Sequence, residues 1–173
     1  SGLSLADDRW DVRQAVAMAI DKAKIRESAY DGAGDLIETP LPKGMMGWLA
    51  LPARRRDVDN ARALLGTAGH PKGFKTKIWV MDNPRAYMPR PKDVAVQIQQ
   101  DLKEIGIEAE VNVVQWSQYL KDVQNGRHET CLMGWMADYG DPDNFLYVLL
   151  DKETARVGSS NNAAFYTDET VHK

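Results

Sequence analysis

Thr76-Lys77-Ile78-Trp79-Val80-Met81 decides the fold, together with PKDVAVQIQQDLKEIG over 91–106 and IEAEVNV over 107–113. The first stretch is short and rich in β-branched and aromatic residues, which predicts a strand. Pro84 and Pro89 break it. In the second stretch Val94, Ile98, Leu102 and Ile105 recur at four- and three-residue steps, so they line one helical face that Gly106 ends. In the third, Ile107, Ala109, Val111 and Val113 alternate with polar residues, the period of a strand. A helix over 117–125, with Tyr119, Leu120 and Val123 on one side, and a third strand over 128–135 follow. Strands separated by helical segments of this length run parallel, joined by right-handed crossovers. The expectation is an α/β domain.

Outward from this centre the pattern is helical and then irregular. Val12, Ala15, Val16, Ala19 and Ile20 keep helical spacing behind Asp7 or Asp8 as cap. Asp21 caps a second helix through Tyr30, and Asp57 caps a third over 58–68 with Gly69 as its C′ residue. Residues 31–56 carry seven glycine or proline breaks, from Gly32 to Pro52, and no period, so they form a long loop. Loops of this length serve function or lie against a partner surface, unless they are plain exposed linkers. A short apolar helix covers 144–150. The opening Ser-Gly reads as a cleavage scar, and 168–173 as the first turns of a helix capped by Asp168. The expectation is therefore a single lobe, 1–173, excised from a longer protein.

Composition narrows the function. With 22 basic against 25 acidic residues, and only Arg54-Arg55-Arg56 as a tight basic run, nothing suits the phosphate backbone of a nucleic acid. That run reads as a solvated loop. No segment approaches the ~20 apolar residues of a membrane helix. One cysteine, Cys131, allows neither an internal disulfide nor a cysteine-based zinc site. No phosphate-binding glycine loop or nucleophile elbow occurs, and His70, His128 and His172 lack an acid or nucleophile at a recognisable spacing.

In an open parallel sheet the loops after the strands emerge at one edge, where ligands bind. Those loops carry Arg85, Tyr87, Trp116, Trp135, Asp138, Tyr139, Asp141 and Asp143. Arg85 is either a surface side chain or a fork for a carboxylate. Asp138 follows an apolar strand beside Trp135, where water is expected to be scarce, so it needs a cationic partner from the protein or from a ligand. Asp138, Asp141 and Asp143 could instead ligate a metal, although their spacing departs from the EF-hand order and Pro142 stiffens the loop. The structural reading has Asp141 starting a turn and Asp143 capping the helix at 144. Trp79 and Trp135 read as core, and Trp48 and Trp116 as exposed or interface residues.

Several blocks then align in order with one family. They are Asp11-Val12-Arg13-Gln14-Ala15, Pro40-Leu41-Pro42-Lys43-Gly44-Met45, Ala61-Arg62-Ala63-Leu64-Leu65, Arg85-Ala86-Tyr87-Met88-Pro89, and Met133-Gly134-Trp135 through Gly140-Asp141-Pro142-Asp143-Asn144-Phe145. The chain resembles the peptide-binding proteins of bacterial ABC importers, solute-binding family 5, most closely the dipeptide-binding branch. The resemblance implies a type II periplasmic-binding-protein lobe, here a parallel-sheet lobe with extra N-terminal helices whose second lobe is absent. It implies a receptor, not an enzyme, that delivers short peptides to membrane permease subunits, without a cofactor. The receptor would be periplasmic or lipid-anchored outside the cytoplasm. By the same resemblance Asp138 holds the ligand's α-ammonium and Arg85 its carboxylate. Met133, Gly134 and Trp135 offer backbone hydrogen bonds and apolar walls, and Tyr87 and Trp116 join the site. Ala86 stands where dipeptide binders often have proline, which loosens the loop. Two other classes remain open at this point: a metal-dependent hydrolase built on the aspartate loop, and an interaction or sensor lobe working through 31–56.

Overall fold

Strand β1, Lys75–Met81, lies at the centre of a three-stranded sheet of order β2-β1-β3. Strand β2, Glu108–Val114, pairs with it in parallel along its whole length, from Lys75 opposite Glu108 to Met81 opposite Val114. Strand β3, Thr130–Cys131, pairs in parallel on the other side. The expected α/β sheet is thus present in a computed structural model that describes residues 10–172. The caps proposed at Asp7 and Asp8 lie outside the described residues.

Helix α1, Trp10–Ala19, packs on helix α3, Val58–Thr67, and on helix α4, Pro91–Glu104, while helix α2, Lys22–Tyr30, also lies on α4. Helix α5, Trp116–Gln124, connects β2 to β3. The chain moves from β1 to one side and then back across it, so right-handed crossovers place α4 and α5 on opposite faces of the sheet. Ile78, Val80, Leu102 and Ile107 are almost fully buried and anchor the core. Each contributes about 1.5–3 kcal/mol through lost apolar surface. The caps at Asp21 and Asp57 form as read: Asp21 accepts from the Lys24 N–H at 2.9 Å, and Asp57 from the Asn60 N–H at 3.0 Å. Gly69 follows α3 with φ +89°.

Three expectations need correction. The third strand is two residues, not 128–135. Before it, the Glu129 carboxylate rather than a backbone carbonyl accepts from the Lys77 N–H and the Thr76 hydroxyl, both at 2.9 Å. After it, the Leu132 N–H still reaches the Trp79 carbonyl at 3.0 Å, but the Tyr119 hydroxyl donates to the Leu132 carbonyl at 2.8 Å. A side chain thus takes over where a ladder would continue. Second, the arginine run is not merely solvated. Arg54 donates to the Gln14 side chain at 3.1 Å, and Arg56 donates to the Ala19 carbonyl at 2.8 Å and to Glu104 at 2.7 Å. These bonds strap the end of the long loop to α1 and α4. Third, Asp143 does not cap the last apolar helix; it is the first residue of helix α6, Asp143–Leu150. Pro142 stands at the cap position without a side-chain cap bond, and Asp141 starts the turn ahead of it, as expected, accepting from the Asp143 N–H at 2.9 Å.

Residues 31–56 are a loop, as expected, held by an ion pair between Lys22 and Glu38 at 2.8 Å and by buried Leu41. Leu36, Ile37, Met46, Leu49 and Leu51 on it are exposed. After α6 the chain makes a short 3-10 turn, Lys152–Thr154, and a tail organised by fully buried Asn162, whose amide donates to the carbonyls of Asp151 and Tyr166. Helix α7, Glu169–His172, follows Asp168, which accepts from the Thr170 N–H at 2.7 Å.

Candidate functional site

Parallel pairing sends the chain out of β1, β2 and β3 at the same sheet edge. Since β1 and β3 are neighbours, the loop carrying Arg85 and the segment carrying Met133 to Asp138 emerge side by side. The first loop is tight. Arg85 and Met88 exchange backbone hydrogen bonds at 3.0 and 2.9 Å, and the Tyr30 hydroxyl donates to the Tyr87 carbonyl at 3.1 Å. Ala86 lies inside this closed turn, so the missing proline does not leave the turn open.

Direct contacts join the three loops. The guanidinium carbon of Arg85 lies 3.5 Å from the centre of the Trp116 ring, a cation–π stack. The Trp116 N–H donates to the Asp82 carboxylate at 3.1 Å, which ties the start of α5 to the end of β1. Tyr87 lies on Gly134 so closely that an added Cβ there would be 2.2 Å from its Cδ2. Only glycine permits that approach. Burial pushes the Tyr87 phenol up, partly offset by the Arg85 charge and the Gly134 backbone. The sheet therefore brings together Arg85, Tyr87, Trp116 and Gly134.

Trp135 and Asp138 are organised by a residue that the pattern reading did not single out. Asn144 is 2 % exposed, and its Oδ1 accepts from the Trp135 indole N–H at 2.8 Å and from the Asp138 N–H at 3.2 Å. The signal was an amide side chain opening an otherwise apolar helix. Tyr30 and Asp82 were also missed, because their partners are 57 and 34 residues away.

Asp138 does not sit in the water-poor place expected of it. It is exposed, and its carboxylate makes no hydrogen bond or ion pair with any described residue. Strand β3 ends at Cys131, and residues 132–137 between it and Asp138 belong to no strand. Arg85 is half-buried and likewise forms no ion pair with a described carboxylate. Met133 is exposed. Trp135 is half-buried through its bond to Asn144, and Trp79 is half-buried against the core. No group of acidic, histidine or cysteine side chains among the described residues has metal-binding geometry. A groove of about 530 Å³ lies at the other end of β1 and β2, but Lys75–Glu108 and Lys77–Glu110 ion pairs fill its wall with neutralised charge.

Residues 6–156 match the family described as bacterial extracellular solute-binding proteins, family 5 Middle. The dipeptide-binding protein of Escherichia coli K12 is 37% identical over 154 residues, 88% of this chain and 29% of that protein. Heme-binding protein A of Haemophilus influenzae is 37% identical over 163 residues, 94% of this chain and 29% of that protein. Among solved structures, a dipeptide-binding protein from Pseudoalteromonas sp. SM9913 in complex with Met-Leu superposes with a TM-score of 0.89 at 32% identity, covering 94% of this chain and 32% of that one. The chain spans less than a third of the length of these relatives. No described helix is long and apolar enough to cross a membrane.

Proposed function

We propose, from the premise that this chain belongs to the bacterial extracellular solute-binding proteins of family 5, that it forms one lobe of a two-lobed receptor that takes up short peptides by their charged ends. The single observation that carries the reading is a pair of opposite charges left unspent. Asp138 and Arg85 stand on segments leaving adjacent strands, and neither forms an ion pair with a described residue. A protein that needed these charges for stability would pair them with its own groups. A short zwitterionic peptide supplies both missing partners: its ammonium for Asp138 and its carboxylate for Arg85. The backbone of Met133, Gly134 and Trp135 reads the peptide main chain, Tyr87 walls the carboxylate end, and Trp116 lies against Arg85 there.

The second lobe supplies the other wall. Its closure removes water from Asp138 and raises the worth of both end contacts. The exposed apolar side chains of 31–56 suit a surface covered by more protein. The receptor works outside the cytoplasmic membrane, free in a periplasm or lipid-anchored, and hands its ligand to the permease subunits of an ABC importer. It performs no chemistry on the peptide. A dipeptide is the favoured ligand. The similarity to a heme-binding protein, as strong as that to a dipeptide-binding one, makes heme the competing ligand to test.

Titration calorimetry of the receptor carrying this lobe, with a dipeptide panel and heme, tests the reading. Asp138→Ala should cost about 2–5 kcal/mol of dipeptide affinity, since it leaves an enclosed ammonium unpaired. A loss below about threefold, or tight binding of heme with none of dipeptides, refutes it. Arg85→Ala should weaken free-acid peptides far more than their C-terminal amides, and equal losses reject the carboxylate fork.

A further inference from the structure

A flexible arginine reads a carboxylate poorly unless something fixes the plane of its guanidinium. The terminal groups sweep a wide arc around the side-chain bonds, and a bidentate contact needs both N–H groups aimed in parallel. No described carboxylate pairs with Arg85 to aim it. Its Nε is buried and makes no hydrogen bond with any described residue. The Trp116 ring lies against its charged end, 3.5 Å from the guanidinium carbon.

Trp116 is itself held through its backbone and through its ring. The Trp116 backbone N–H is held by Asp82 at 3.1 Å. Its ring stacks on Tyr119 with centres 6.0 Å apart and planes 19° from parallel. Tyr119 is fully buried, and its hydroxyl lies 2.8 Å from the Leu132 carbonyl and 3.2 Å from the Trp79 carbonyl. A column thus rises from the backbone of β1 and of Leu132, just past β3, through a phenol and an indole to the guanidinium. The same hydroxyl holds the residue from which the segment toward Asp138 departs. The plane of Arg85 and the root of that segment share one anchor.

We infer that Trp116 is a positioning residue that sets ligand specificity: it closes one face of the Arg85 guanidinium and leaves only its terminal edge for a carboxylate lying in the same plane. This rests on the reading of Arg85 as the carboxylate fork. It assigns Trp116 a different task from that of a wall for ligand side chains. A wall favours any ligand that touches it, whereas a shelf under Arg85 favours only ligands with a free carboxylate. The buried Nε contributes no outward donor, so a neutral amide gains little from the edge that remains.

The experiment measures affinities of one dipeptide and its C-terminal amide for the receptor carrying this lobe. Parent, Trp116→Leu and Trp116→Phe are compared, each also with Arg85→Ala, and melting curves verify that every variant folds. Leucine keeps apolar bulk without a π face, and phenylalanine keeps the face. Trp116→Leu should weaken the free acid on the order of tenfold, while the amide changes less than about threefold. Trp116→Phe should stay within about threefold of the parent for both. Once Arg85 is alanine, Trp116→Leu should have no further effect on the free acid. Equal weakening of acid and amide by Trp116→Leu makes Trp116 a wall and overturns the inference, as does an unchanged acid preference. A parent receptor that does not prefer the acid over the amide refutes the underlying reading of Arg85, and the inference with it.

Discussion

Removing the Asn144 side chain tests how the segment carrying Asp138 is held. Its Oδ1 accepts two hydrogen bonds, from the Trp135 indole at 2.8 Å and from the Asp138 N–H at 3.2 Å, and the residue is 2 % exposed. The two bonds are not equal. Trp135 is half-buried, so its indole N–H loses a partner where water has poor access; Asp138 is exposed, and its N–H can turn to water. A buried donor left unpaired costs about 1–3 kcal/mol, whereas one returned to water costs about 0.5–1.5 kcal/mol or less. Asn144→Ala should therefore destabilise the chain by about 2–4 kcal/mol, most of it through Trp135. Urea unfolding of parent, Asn144→Ala, Trp135→Phe and the double variant separates the contributions. A coupling of about 1 kcal/mol between Asn144 and Trp135 is expected, because either change removes the same bond. Asn144→Asp keeps the acceptor oxygen and should retain most of the stability near neutral pH. An Asn144→Ala variant within about 0.5 kcal/mol of the parent, or a coupling indistinguishable from zero, would refute the reasoning.

The isolated lobe should bind dipeptides more weakly than micromolar, because Asp138 remains in water without a second wall; micromolar binding by calorimetry contradicts this. Burial holds the His128 imidazole below its ordinary value of 6.5, and its Nδ1 is buried with no hydrogen-bond partner among the described residues. As pH falls the unfolded chain protonates first, so this contribution to stability is complete above the ordinary value and declines below it. The melting temperature should fall between about pH 7 and about pH 5, and His128→Gln, which keeps a donor for the Ala163 carbonyl, should flatten that fall; an identical slope in the variant rejects the assignment. Burial pushes the Cys131 thiol up to about 11, so it should react with a thiol reagent near neutral pH far more slowly in the folded chain than in urea, and equal rates would place the thiol at the surface.

What the sequence reveals depends on whether a signal is local. Strands β1 and β2 and helix α4 are legible because apolar period and breakers lie within each segment. Asp21 and Asp57 are legible as caps because the N–H they accept from is three residues on. The third strand misleads because its apolar run continues to Trp135, while the event that ends the ladder is a hydroxyl arriving from Tyr119 on another helix. Arg54 and Arg56 mislead for the same reason: their partners lie 40, 37 and 48 residues away. Residue type alone points to Asp143 as the cap, but the turn begun by Asp141 starts the helix one residue earlier, so Asp143 is already helical. The candidate site rests on topology and family resemblance together. Parallel strands fix the edge where Arg85 and Asp138 emerge, whereas the Arg85–Trp116 stack and the Tyr87–Gly134 contact require coordinates.

The aspartate loop shows why similar groups take different roles. Asp141 is occupied by the turn, because its carboxylate accepts the Asp143 N–H. Asp143 opens α6, where a negative charge in the first turn favours the helix. Both therefore serve the folding of the segment. Asp138 differs: its backbone is gripped by Asn144 while its carboxylate remains in water. A fixed backbone under a free charge has already lost the freedom that binding would otherwise remove, so a partner gains more from the contact. Arg85 shows the same arrangement with opposite sign, stacked on Trp116 and closed into its turn with Met88. Among the described residues these carboxylates form no group with metal-binding geometry. A zwitterion needs only the free charges of Asp138 and Arg85, and this difference favours the peptide reading over the metal-dependent one.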